Sequence, residues 1–108
     1  MGENAEKIAL TEAVYYILLS LYTPLHGYGI MQNIMKISDG RVNLAAGTLY
    51  GALTTLQEKG WIIALEDAEN SRKKMYEITD IGKVVVYAEI KRLEELLDNG
   101  HKVVGGRD

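Results

Sequence analysis

Three consecutive cations, Arg72, Lys73 and Lys74, stand beside two short runs, Trp61-Ile62-Ile63-Ala64-Leu65-Glu66 and Lys74-Met75-Tyr76-Glu77-Ile78-Thr79. Guanidinium and ammonium groups bunched at a turn suit one chemistry above others, the pairing with phosphate oxygens. A second candidate group lies upstream in Gly47-Thr48-Leu49-Tyr50-Gly51. There hydroxyls and side-chain-free backbone gather at the expected start of a helix, where unpaired N–H groups favour anions. Enzymatic chemistry finds little support. The chain has no cysteine, which removes thiol nucleophiles and thiolate zinc sites. His26 and His101 are isolated, so no metal site is expected, and no Ser/His/Asp order or phosphate loop is present. The expectation is a binding protein without cofactor, not an enzyme.

The elements that would carry these groups follow from periodicity. Val14, Ile17, Leu18 and Leu21 are spaced as one face of a helix over about 11–22, ended by Pro24. Tyr15, Tyr16 and Leu19 make that helix apolar on other sides as well, which implies a second covering surface. A second helix is expected over 27–37, with Ile30, Ile34 and Ile37 inward and Asp39-Gly40 as its stop. A short extended link at 41–44 leads to a third helix over 45–59, closed by Gly60. If Leu49, Leu53 and Leu56 face the core, then Gly47, Gly51, Thr54 and Glu58 face away, flanked by Tyr50 and Thr55. Two glycines weaken a helix by ~1 kcal/mol each relative to alanine, and they permit close backbone approach to another surface.

The two runs at 61–66 and 74–79 then read as a hairpin turning at Asn70-Ser71. Thr79 looks like an N-cap for a last helix over 80–99, stopped by Gly100. Val86, Ile90, Leu93 and Leu97 step by four, three and four, the spacing of a helix that packs on another helix. The expected fold is mainly α with a two-stranded β-wing, a winged helix-turn-helix at 8–79 plus a C-terminal dimerisation helix at 80–99. Residues 1–7 and 100–108 are expected to be loose tails.

With 108 residues there is material for one core. A net charge of −3 argues against a general nucleic-acid coat, though not against a local basic face that includes Arg41. No apolar run approaches the ~20 residues of a membrane span, and Met1 to Glu6 lacks a signal-peptide layout, so the cytoplasm is expected.

Several segments together resemble the PadR family of bacterial transcriptional regulators. Leu44 to Ile63, LAAGTLYGALTTLQEKGWII, is similar to the family's recognition-helix signature. His26-Gly27-Tyr28-Gly29-Ile30 resembles its Gly-Tyr-Gly, and Arg72 to Gly82 its basic wing running into Leu-Thr-x-x-Gly. The short last helix resembles the compact branch with one C-terminal helix. The chain departs from the pattern at Ala45, where the family has a capping residue, and at Asn70-Ser71, where it has Gly-Gly. Trp61 is its only tryptophan, so the last helix lacks the one used by some members to stack flat ligands.

The resemblance implies a homodimeric repressor on a palindromic operator of double-stranded DNA, joined through its first and last helices. The expected DNA-binding residues are Tyr28, Arg41, Gly47, Thr48, Tyr50, Gly51, Thr54, Arg72, Lys73 and Lys74, with half-sites ~34 Å apart. For Tyr28 and Tyr50, packing inside the protein stands as the alternative role. Val14, Leu18, Val86, Ile90, Leu93 and Leu97 are expected at the dimer interface. A small-molecule inducer is expected in an apolar pocket lined by Tyr15, Leu18, Tyr87 and Leu93. The alternative function is a winged-helix protein-interaction module without DNA.

Overall fold

The computed structural model describes residues 9–66 and 74–105. Its elements are α1 (Glu12–Ser20), β1 (Leu25–His26), α2 (Gly27–Ile37), α3 (Ala46–Glu58), β2 (Ile62–Leu65), β3 (Met75–Ile78) and α4 (Asp80–Val104). This is the expected fold class, helix-turn-helix followed by an antiparallel hairpin and a long helix. Residues Asn70, Ser71, Arg72 and Lys73, which carry the expected turn and most of its charge, lie outside the described residues.

Thr11 caps α1 by accepting a bond from the Val14 N–H at 3.1 Å. The helix closes at Ser20, four residues before Pro24, so the proline is not what ends it. Its last turn is instead taken up by Leu21, whose carbonyl accepts the Ile78 N–H at 2.9 Å and ties α1 to the sheet. Ser20 donates to the Tyr16 carbonyl and accepts from the Asn33 amide, each at 2.8 Å, which pins α1 to α2. Asp39 and Gly40 turn the chain out of α2 at positive φ, as the stop signal requires. Ile37 departs from expectation and is 43 % exposed, because the inward stripe of α2 ends with Ile34 and continues as Ser38.

The hairpin register pairs Ile62 with Ile78 and Ala64 with Tyr76. Leu25 and His26 add a third strand against Tyr76 and Met75, giving the order β1-β3-β2. Two residues leave no alternation to read, so this strand had no sequence signal. The core gathers Ile17, Leu18, Leu21, Ile30, Ile34, Leu49, Leu53, Leu56, Ile62, Tyr76, Ile78 and Val86. Burying each leucine or isoleucine contributes about 1.5–3 kcal/mol.

Thr79 joins the hairpin to α4. Its side chain accepts from Gly82 N–H at 3.1 Å and donates to the Gly60 carbonyl at 2.7 Å, while its own N–H donates to the Trp61 carbonyl at 2.9 Å. The end of α3 and the start of α4 are thereby clasped together. Gly100 does not stop α4. The helix runs on to Val104 and is closed by Gly105 in the left-handed region, so the stretch after Asn99 is helical, not loose, through Val104. Glycine inside a helix costs only ~1 kcal/mol, too little to end one with helix formers on both sides.

Candidate nucleic-acid interface and groove

α3 presents two unlike faces. Leu49, Leu53 and Leu56 are at most 2 % exposed and hold the helix to the body. Gly47, Thr48, Tyr50, Gly51, Thr54 and Thr55 lie on the exposed side. A Cβ added at Gly47 or Gly51 would meet no atom within 4 Å. Packing within the protomer therefore does not account for these glycines. Thr54 and Thr55 donate to the Tyr50 and Gly51 carbonyls at 3.0 and 3.3 Å. With their protons engaged, these hydroxyls offer an outside partner an acceptor oxygen and a methyl group. Ala45 occupies the N-cap and supplies no side-chain oxygen, so the first N–H groups of α3 receive no capping bond.

Tyr50 packs in part and is exposed in part. It is 46 % exposed, and its hydroxyl end covers Gly27, where a Cβ would come within 2.1 Å of the phenol oxygen. The start of α2 is thus brought to the middle of α3. Tyr28, on that first turn of α2, is 67 % exposed and accepts a bond from Gln32 Nε2 at 3.2 Å. Lys74 is exposed at the foot of β3.

Arg41 sits elsewhere. Its guanidinium embraces Glu12 of α1, with Nη1 donating to Oε1 at 3.0 Å and Nη2 to Oε2. The structure therefore ties Arg41, which was expected among the DNA-binding cations, to Glu12 of α1 while leaving it exposed. No spacing rule could have found the pair, since its members are 29 residues apart.

The interface expectations divide. Leu18 is fully enclosed and Val86 is 2 % exposed, so both belong to the chain's own core and not to an exposed interface. That is a correction, with a simple cause: the i, i+3, i+4 stripe of an amphipathic helix marks its own domain's core first. Val14 and Ile90 are half-buried against the same core. Leu93 and Leu97 remain exposed, at 39 and 60 %. Beyond Ile90 the described residues leave the apolar side of α4 uncovered, and Leu96, Val103 and Val104 are exposed as well.

Tyr15 and Leu93 do line a common groove, of about 360 Å³ between α1 and α4. Leu18 and Tyr87 do not line it: Leu18 is buried beneath, and Tyr87 is 64 % exposed. Their places are taken by Leu10, Glu12, Tyr16, Glu89 and Arg92. Glu89 is 4 % exposed and accepts two bonds from Arg92, at 2.9 and 2.7 Å. The i, i+3 spacing of this pair on a helix was a legible signal that the apolar stripe overshadowed.

The Arg92 hydrogen bond, opposed by burial and helped by the Leu10 backbone N–H, holds the Glu89 carboxyl below its ordinary value of 4.5. The Arg41 hydrogen bond does the same for Glu12. Burial, then the charge of Glu89, pushes the Tyr15 phenol up. A carboxylate whose folded pKa is lowered adds stability that is complete above its unfolded pKa and is lost as pH falls through the folded one. Acid melting curves should therefore show a loss beginning near pH 4.5 and continuing below it. Glu89→Gln should flatten that limb more than Glu12→Gln, because Glu12 is solvent-exposed and screened. Equal flattening by the two variants would contradict the burial argument.

Among the described residues, no helix is long and apolar enough to cross a membrane and no cluster of side chains could hold a metal. A model of the family described as Transcriptional regulator PadR-like family matches residues 16–89. The fold is similar to that of a PadR family transcriptional regulator from Eggerthella lenta DSM 2243, with a TM-score of 0.71 at 25% identity over 87% of this chain and 82% of that one. It is also similar to a point mutant of S. aureus MepR bound to an oligodeoxyribonucleotide, with a TM-score of 0.63 at 21% identity over 92% of this chain and 67% of that one. A third likeness is to BpsR of Bordetella bronchiseptica, whose DNA binding is regulated by 6-hydroxynicotinic acid. Its TM-score is 0.67 at 17% identity over 92% of this chain and 68% of that one. No curated protein matches the chain in sequence.

Proposed function

This chain belongs to the PadR-like family of transcriptional regulators, and we propose that it acts as a homodimeric, sequence-specific binder of palindromic duplex DNA, a repressor released by a small apolar or aromatic ligand. The observation that carries this reading is the outer face of α3. It combines two glycines with open space above them, three threonines and a half-exposed tyrosine, on a helix anchored by three buried leucines. Such a face fits the ~12 Å width of a major groove, with Thr48 and the uncapped first turn toward phosphate and Thr54 toward base edges. Gly51 lets the helix sit deep, Tyr28 flanks it at the start of α2, and Lys74 stands exposed at the foot of β3 as a cation for the backbone. The DNA-bound MepR mutant and the ligand-regulated BpsR support the two halves of the reading.

The exposed apolar side of α4 supports dimerisation. A 25-residue helix is about 37 Å long, and its last half shows water Leu93, Leu96 and Leu97. An apolar patch of that extent marks a partner surface. A second α4 would cover it, with Val14 and Ile90 at the margin. The groove beside Tyr15 and Leu93 has the volume of a small-ligand site.

The test is a titration of DNA from upstream of the chain's own gene over a range of salt, with Leu97→Glu beside the parent. The parent should sediment as a dimer and lose affinity linearly in log salt, with a slope of about −0.9 per neutralised phosphate. Leu97→Glu should sediment as a monomer, melt as a folded chain, and bind at least ~100-fold more weakly because each half-site must then be held alone. Absent or salt-insensitive binding by a dimeric parent would favour a winged-helix protein-interaction module instead.

A further inference from the structure

Glu12 stands where three parts of the fold meet. It belongs to the first turn of α1, it walls the α1–α4 groove, and its carboxylate holds Arg41, in the link that carries the chain from α2 to α3. Two residues before it, Leu10 lines the same groove as Glu89, the buried carboxylate of α4 that Arg92 braces. The entry to α1 thus lines a groove shared with α4 on one side and is tied through Glu12 to the α2–α3 link on the other.

The link also carries local bonds, among them Gly40 N–H to the Met35 carbonyl at 2.7 Å and Ser38 Oγ to the Val42 carbonyl at 3.4 Å. Arg41 N–H donates to the Ser38 carbonyl at 3.1 Å, and Val42 N–H donates to Ser38 Oγ at 3.0 Å. Val42 and Leu44 pack on the core. α3 then begins after Ala45 with no capping side chain, so its own first turn does not lock its entry angle. A planar guanidinium gripped through both nitrogens fixes direction as well as distance, which a single-point contact does not. Both partners are well exposed, 62 and 47 %, so the pair adds little to global stability.

We propose that Glu12 is a positioning residue for α3. Through Arg41 it sets the angle at which the reading helix leaves the α2–α3 link, and because it also walls the groove, an occupant there is felt at the reading helix. The proposal builds on the DNA-binding reading above, yet its first readout needs no DNA.

The experiment compares the full chain with Glu12→Gln and Arg41→Lys. Amide hydrogen exchange is followed by NMR at Val42 and Leu49, whose N–H groups donate to Ser38 Oγ and to the Ala45 carbonyl. DNA affinity and its salt slope are measured on the same samples. Both variants should melt within roughly 2 °C of the parent, as expected for an exposed pair. Exchange at the two amides should quicken about tenfold, and DNA affinity should fall about tenfold with the salt slope unchanged. Arg41→Lys keeps the charge and loses the fork, so a plain phosphate contact would survive it and an orienting clamp would not. Unchanged exchange overturns the proposal. So does tighter DNA binding by Glu12→Gln, which would make Arg41 a phosphate cation that Glu12 shields. If exchange quickens while the parent binds no DNA, the clamp stands and the DNA-binding reading fails.

Discussion

Replacing Gly47 with glutamate is expected to raise the melting temperature and to abolish duplex binding. The two effects have opposite signs because one arises within the helix and the other at its outer face. Gly47 is the second residue of α3, after the Ala45 cap position. Any side chain there has open space, since no atom lies within 4 Å of an added Cβ. Glutamate is a better helix former than glycine by just under ~1 kcal/mol, and its charge in the first turn adds a few tenths more through the helix dipole. A domain of this size should gain several degrees from about 1 kcal/mol. In the proposed dimer on DNA, the same carboxylate would face phosphates at the mouth of the groove, once in each subunit. Like charges brought together at an interface cost several kcal/mol, so affinity should fall at least ~100-fold. Gly47→Ala is the control that separates bulk from charge. A thermally stabilised Gly47→Glu chain that still bound the operator would mean that the outer side of α3 is not what meets DNA.

Gly82→Ala is expected to be the most damaging conservative change in the chain. A Cβ there would lie 2.2 Å from the Trp61 carbonyl oxygen and 2.6 Å from Ile78 Cγ1. The carbonyl cannot yield, because it accepts the Thr79 N–H at 2.9 Å. Moving α4 away would break the bonds by which Thr79 joins Gly60 to Gly82. Alanine's better helix propensity returns ~1 kcal/mol, whereas forcing atoms into a closed contact with backbone costs about 3 kcal/mol or more. The melting temperature should drop by roughly 10 °C or more. Urea unfolding checks the value directly, and a loss under ~1 kcal/mol would show that the α3–α4 junction is looser than its geometry.

These two glycines also separate what could be read from what could not. The outward direction of Gly47 followed from counting residues around a helix. The enclosure of Gly82 did not, because it is set by Trp61, a residue outside its own helix. The same division runs through the candidate site. Thr48, Gly51 and Thr54 stand on the exposed side of α3 as the periodicity of Leu49, Leu53 and Leu56 required. Arg41 was read as one more surface cation, and its partner came from α1. Leu18 and Val86 were read as seam residues when they are core, since one apolar stripe can serve a protomer's interior or a partner.

By itself, then, the amino-acid order determined the helices, the hairpin strands, the turn at Asp39-Gly40 and the face that α3 turns outward. Each depends on interactions between residues within about one or two turns of one another, and those spacings are written along the chain. Only the tertiary structure decided that Leu25 and His26 join the sheet, that Glu12 holds Arg41, that Glu89 is buried beside the groove, and how much of the apolar stripe on α4 is left uncovered. Those outcomes depend on which distant surfaces meet, and on how much area the core claims before any is left over.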